Sequence, residues 1–170
     1  PSDGVAIVHG GITSAMGEVR VDLGVPAHIS PDYIGDLSTR LGIYHRLSEL
    51  TSMDGVSSMK DELCDRFGPL PWQVDNLLYV IRLKLCAMEA GVECIVKENE
   101  YIVFRMETDI GGAGLALQKI LGKGVEVGHT QIKMKLDERR EGWEDRLMDV
   151  VQRLRGFVQH VGVHVENNQT

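Results

Sequence analysis

Three groups of side chains in this 170-residue chain have the types and spacing from which catalytic or metal chemistry is built. Gly111-Gly-Ala-Gly114 and Gly122-Lys-Gly124 are glycine-rich in the manner of phosphate loops. A phosphate cradle needs G-x-x-x-x-G-K-[ST], and here Lys123 is followed by Gly124, so neither stretch has the pattern and both read as turns. His160 and His164 are four apart, as two ligands on one helix face would be. No H-E-x-x-H order surrounds them and no third ligand stands near, so they read as two exposed histidines. Ser57-Ser58 and the scattered carboxylates match no nucleophile–base order. No catalytic residue, cofactor or metal is therefore expected.

A fourth group has the spacing of a recognition surface. Asp61, Glu62 and Asp65 lie on one side of a predicted helix whose other side carries Met59, Leu63 and Phe67 at intervals of four. Asp61 and Asp65 form a like-charge i,i+4 pair, which costs a helix roughly 0.2–0.5 kcal/mol, while Glu62 and Arg66 return a similar amount. Local stability gives no reason for this arrangement. Two readings stay open: an ordinary solvated face, and a docking surface for a basic partner, where complementary charge sets register and encounter rate. Arg139, Arg140, Arg146, Arg153 and Arg155 make the last helix mildly basic. Glu138, Glu141, Glu144, Asp145 and Asp149 are interspersed with them, as on a salt-bridged face, and stacking aromatics are missing.

The elements that position the acidic face meet at Gly68, Pro69 and Pro71. Gly68 accepts φ > 0 just past a helix end, Pro69 cannot continue the helix, and Pro71 suits the first turn of the next one. Upstream, residues 1–18 read as a flexible lead or linker, Glu18 to Ile29 as a strand, and Ser30-Pro31 as the start of a helix reaching about Thr51 with Leu37, Leu41, Tyr44 and Leu47 on its face. Asp54-Gly55 reads as a break, and the second helix as Val56 to Phe67. The third helix, Pro71 to Ala90, carries the stripe Val74, Leu77, Leu78, Ile81, Leu85 and Met88 and is closed by Gly91. Val92–Val96 and Tyr101–Met106 read as a hairpin joined by Lys97 to Glu100. Leu115–Leu121 reads as a short helix, Val125–Val127 with Gln131–Leu136 as a second strand pair, and a last helix starts near Glu141. The domain is expected to span residues 19–165, with a frayed tail at 166–170. Helices and strands are grouped rather than alternating, which predicts an α+β fold with a mostly antiparallel sheet packed with amphipathic helices.

Composition narrows the classes. A hydrophobic content of 43% suffices for one core, and there is no apolar run long enough for a membrane span. Pro1 to Arg20 lack the basic start and apolar centre of a signal peptide, and Cys64, Cys86 and Cys94 form neither a C-x-x-C pair nor an even set, so reduced thiols in a cytoplasmic protein are expected. The net charge of −7 disfavours nucleic acid as the main partner.

The stretch around the turn also carries a resemblance. Leu-Cys-Asp-Arg-Phe-Gly-Pro-Leu-Pro at 63–71 resembles the signature of the C-terminal domain of bacterial transcription-repair coupling factors. Val25-Pro-Ala-His-Ile-Ser-Pro-Asp-Tyr-Ile34 and Arg40-Leu-Gly-Ile-Tyr-His-Arg-Leu47 resemble that family's leading strand and first helix, and Asn76-Leu-Leu-Tyr-Val-Ile-Arg-Leu-Lys84 its third helix. The likeness runs from about Val19 to Val103. It implies an α+β regulatory domain of an ATP-dependent DNA translocase that removes stalled RNA polymerase and recruits UvrA for nucleotide excision repair. It further implies that this domain is non-catalytic and monomeric, and that it docks on the parent's own UvrA-binding module and masks it. RNA polymerase, UvrA and double-stranded DNA would be partners of the parent. The alternative is a helicase-associated module that grips DNA during translocation.

Overall fold

The computed structural model describes residues 19–136 and 142–166, with side chains as far as Val161. The lead 1–18, the tail 167–170 and the segment 137–141 lie outside the described residues. The elements run β1 (Arg20–Asp22), α1 (Leu37–Ser48), α2 (Met53–Phe67), α3 (Trp72–Glu89), β2 (Val92–Glu98), β3 (Tyr101–Met106), α4 (Gly114–Leu121), β4 (Val125–Val127), β5 (Gln131–Lys135) and α5 (Trp143–Glu166). The strands form one sheet in the order β1-β2-β3-β5-β4. β1 pairs parallel with β2, and the other three pairings are antiparallel. The fold is α+β, as the grouping of elements predicts.

The core has two parts. One contains Ile95, Ile102, Phe104, Ile132 and Met134 from alternate positions of β2, β3 and β5, packed against Leu117 of α4 and Leu147, Val151 and Leu154 of α5. The other is helical and gathers Ile43, Leu47, Val56, Met59 and Leu63 from α1 and α2. Helix α3 belongs to both. Its first half supplies Val74, Leu77, Leu78 and Ile81 to the helical part, and its second half supplies Leu83, Cys86 and Ala87 to the sheet part. This corrects the single predicted stripe: Met88 is exposed, while Leu83 and Cys86 are fully buried. A helix packed on one layer shows one stripe, whereas a helix that passes between two layers buries a second face. Among the described residues, no helix is long and apolar enough to cross a membrane.

Other elements also depart from expectation. β1 ends at Asp22 and Gly24, at φ 66°, turns the chain out of the sheet, so the predicted strand to Ile29 is much shorter. Ser30 starts only one turn, its carbonyl accepting from Tyr33 and Ile34 N–H. Gly35 and Asp36 interrupt that turn. Asp36 adopts an extended conformation (φ −75°, ψ 121°), accepts from Thr39 N–H at 2.7 Å and becomes the cap of α1. Leu37 and Leu41 are 56% and 55% exposed, so α1 buries only Ile43 and Leu47. Asp54-Gly55 does not break the chain. Ser52 caps α2 by accepting from Gly55 N–H at 3.1 Å, and Asp54 places its charge in the first turn, where the helix dipole favours it. The hairpin turn is the two residues Asn99 and Glu100, with Asn99 at φ 54°, and Lys97 and Glu98 belong to β2.

Candidate docking face on the second helix

Helix α2 is fixed on its inner side by Met59 and Leu63, both buried, and by half-buried Phe67. Its outward stripe is then determined by the 3.6-residue period. Asp61 and Asp65 lie on it, exposed. Asp54, seven residues before Asp61, falls on the same stripe and is also exposed. Among the described residues, neither Asp61 nor Asp65 is held by an ion pair.

Glu62 differs from its two neighbours. Its carboxylate accepts from both ends of the Arg46 guanidinium, at 2.7 and 2.5 Å, and from Arg66 Nη1 at 2.8 Å. The hydrogen bonds from Arg46, then those from Arg66, pull its pKa from the ordinary 4.5 down to about 2. Arg66 in turn lies over the Phe67 ring, 4.8 Å from its centre. Glu62 is thus committed to tying α1 to α2. Sixteen residues separate Arg46 from Glu62, so no local spacing in the sequence announces this partner. Lys60 makes a second tie, to Asp75 of α3 at 3.3 Å. The docking reading therefore rests on Asp61 and Asp65, with Asp54 the member of the stripe that sequence reasoning left out.

The turn that ends α2 is built much as expected. Gly68 N–H donates to Cys64 O at 3.0 Å, closing the last turn. Gly68 itself sits at φ 86°, ψ −167°, a region that only glycine enters without strain. The Tyr33 hydroxyl lies 3.0 Å from Gly68 O and 3.1 Å from Leu63 O, as donor to these two helix-end carbonyls. The Tyr33 ring meets Phe67 edge-on at 6.0 Å. Pro69 is exposed in the linker. Pro71 stands one position earlier than expected: it is the cap residue of α3, its carbonyl accepting from Val74 and Asp75 N–H, and Trp72 is the first helical residue.

The remaining candidates do not converge. Gly111–Ala113 forms a single 3-10 turn, and Gly122 and Gly124 are turn residues at φ 81° and 78°. Ser57 and Ser58 are exposed on α2, and His160 is exposed on α5, while the His164 side chain lies outside the described residues. Among the described residues no group of three or more His, Cys, Asp or Glu is placed to hold a metal ion. The three cysteines are free thiols, with Cys86 buried and Cys64 exposed.

The arginines of α5 are occupied. Arg146 donates to Lys123 O at 2.9 Å and toward Lys135 O at 3.4 Å. Arg153 pairs with Asp149 at 2.8 Å and donates to Ile120 O, and Arg155 pairs with Glu89 at 3.1 Å. Arg139 and Arg140 lie outside the described residues.

Comparison with known proteins agrees with the fold. The family model for the TRCF domain matches residues 23–111, just over half of the chain. The chain is 28% identical over 145 residues to a transcription-repair-coupling factor of Staphylococcus haemolyticus, an alignment covering 82% of the chain and 12% of that relative. It is 31% identical over 121 residues to one of Rickettsia conorii, covering 70% of the chain and 10% of the relative. The chain thus spans about an eighth of these relatives' length or less. In three dimensions it is similar to the crystal structure of a C-terminal domain of transcription-repair coupling factor, with a TM-score of 0.66 at 18% identity, covering 81% of the chain and 92% of that structure.

Proposed function

The chain belongs to the TRCF domain family, and from that premise we propose that it is the C-terminal regulatory domain of an ATP-dependent DNA translocase that acts in transcription-coupled nucleotide excision repair. In this reading the parent removes stalled RNA polymerase and recruits UvrA in the cytoplasm. The domain catalyses nothing. It docks on the parent's own UvrA-binding module, covers it, and releases it when polymerase is engaged. Masking of this kind is a population shift between a closed and an open form. A tether supplies a high effective concentration, so a modest intrinsic affinity suffices to keep the closed form dominant.

The observation that carries the docking part is the outward stripe of α2. Asp61 and Asp65 repel one another, are exposed, and have no ion-pair partner among the described residues, while the helix beneath them is anchored by Glu62–Arg46 and Lys60–Asp75. A rigid acidic stripe of this kind is suited to a basic surface. The DNA-gripping alternative draws no support from α5, because Arg146, Arg153 and Arg155 are spent on carbonyls and carboxylates within the domain. The direct test is to mix this chain with the separately produced UvrA-binding module and measure association over a salt series. Binding that weakens with salt is expected. Absence of binding at low salt contradicts the proposal.

A further inference from the structure

A strand at the end of a sheet normally presents a row of open backbone groups, which is a template for pairing with another chain. β4 is such a strand. Lys135 N–H donates to Gly124 O at 2.9 Å and Gly128 N–H donates to Gln131 O at 2.8 Å, with Glu126 opposite Lys133. Positions 124, 126 and 128 therefore bond to β5, and Val125 and Val127 direct their N–H and C=O away from the sheet. Two of these four outward groups, Val125 C=O and Val127 N–H, are met by one side chain. Gln118 Nε2 donates to Val125 O at 2.5 Å, and Gln118 Oε1 accepts from Val127 N–H at 3.0 Å. The carboxamide offers β4 one donor and one acceptor, as a residue of a neighbouring strand would. Its position is fixed by Leu117 and Leu121 of α4, which are buried in the sheet core on either side of it in sequence.

We propose that Gln118 holds shut a strand-addition edge, and that the partner it excludes is a second copy of β4. The outward groups are self-complementary about a two-fold axis through Glu126: Val125 of one chain would exchange both backbone bonds with Val127 of the other. Glu126 would then face its own copy, and like charges directly opposite oppose pairing. The edge thus has two guards, a plug at Gln118 and a charge at Glu126. This edge of the sheet shares no residue with the docking face on α2.

The test uses the 170-residue chain and Q118M, which removes both hydrogen-bonding groups while keeping side-chain length and helix propensity. Val127 N–H exchange should accelerate by about tenfold, the loss expected for one hydrogen bond, with the Glu126 N–H unchanged. Q118M should sediment as a concentration-dependent dimer where the wild type is a monomer, and Q118M/E126Q should dimerise more tightly. Unchanged Val127 exchange, or monomers for both variants at all concentrations, overturns the proposal. Should Q118M not fold, the wild type alone decides. Its Val127 N–H must exchange about tenfold more slowly than Val125 N–H, which also points outward and donates no bond to Gln118, and comparable rates refute the plug.

Discussion

At Gly68 a Cβ would meet no atom within 4 Å beyond the adjoining residues, so the cost of adding one is a cost of backbone conformation. With φ at 86° and ψ at −167°, Gly68→Val is expected to lower stability by about 1–3 kcal/mol, and Gly68→Ala by nearly as much. Denaturant midpoints of the two variants measure this, and an unchanged midpoint for both contradicts the assigned conformation. Glu62 gives a second residue-level prediction. Its folded-state pKa is depressed to about 2 from 4.5, so its contribution to stability is present above the unfolded value and disappears as pH falls from about 4.5 through 2. The stability gap between wild type and Glu62→Gln should therefore be full at neutral pH and close over that window. A gap that does not change with pH would mean that the Arg46 bonds do not depend on the charge.

Between elements, the corner where α5 meets the sheet depends on a close approach. The space a Cβ on Gly124 would fill lies 2.5 Å from Arg146 Nη2, and Gly124 itself is at φ 78°. Gly124→Ala should dislodge the guanidinium from Lys123 O and Lys135 O. Gly124→Ala and Arg146→Ala are then expected to be non-additive, with a coupling of about 0.5–3 kcal/mol in a double-mutant cycle. Strict additivity would contradict the clamp. The elements themselves are legible where a local signal dominates: Gly68 and Gly91 end helices, and the apolar period of α2 places its buried face correctly. Boundaries were lost where two signals compete within a few residues. Ser30 and Asp36 both cap, and the second wins because Gly35 interrupts the first turn. Asp54-Gly55 resembles a break only until Ser52 is seen capping the Gly55 amide. The two faces of α3 and the Arg146 clamp depend on long-range packing, which no short window contains.

For the whole molecule, the acidic stripe was visible in sequence as a helical face, but the division of labour within it was not. On a wheel Asp61 and Asp65 lie opposite the apolar stripe with Glu62 beside them, and the approach of Arg46 from α1, joining Arg66, commits Glu62 to the fold and leaves the two aspartates outward. This chain alone is expected not to hydrolyse ATP. Turnover by a preparation free of contaminating ATPase would contradict its reading as a non-catalytic domain. In the proposed closed form Asp61 and Asp65 hold the domain on a basic surface of its parent. Replacing both with Lys leaves Met59, Leu63 and the Glu62–Arg46 tie in place, so the fold should survive. Loss of partly desolvated charge pairs costs about 2–5 kcal/mol, enough to open a closed form held by a modest contact. The most direct measurement is the UvrA affinity of the full-length parent, wild type against Asp61→Lys/Asp65→Lys, at matched salt and without polymerase. Tighter UvrA binding by the variant is expected, and equal affinities with both proteins folded would return Asp61 and Asp65 to an ordinary solvated face.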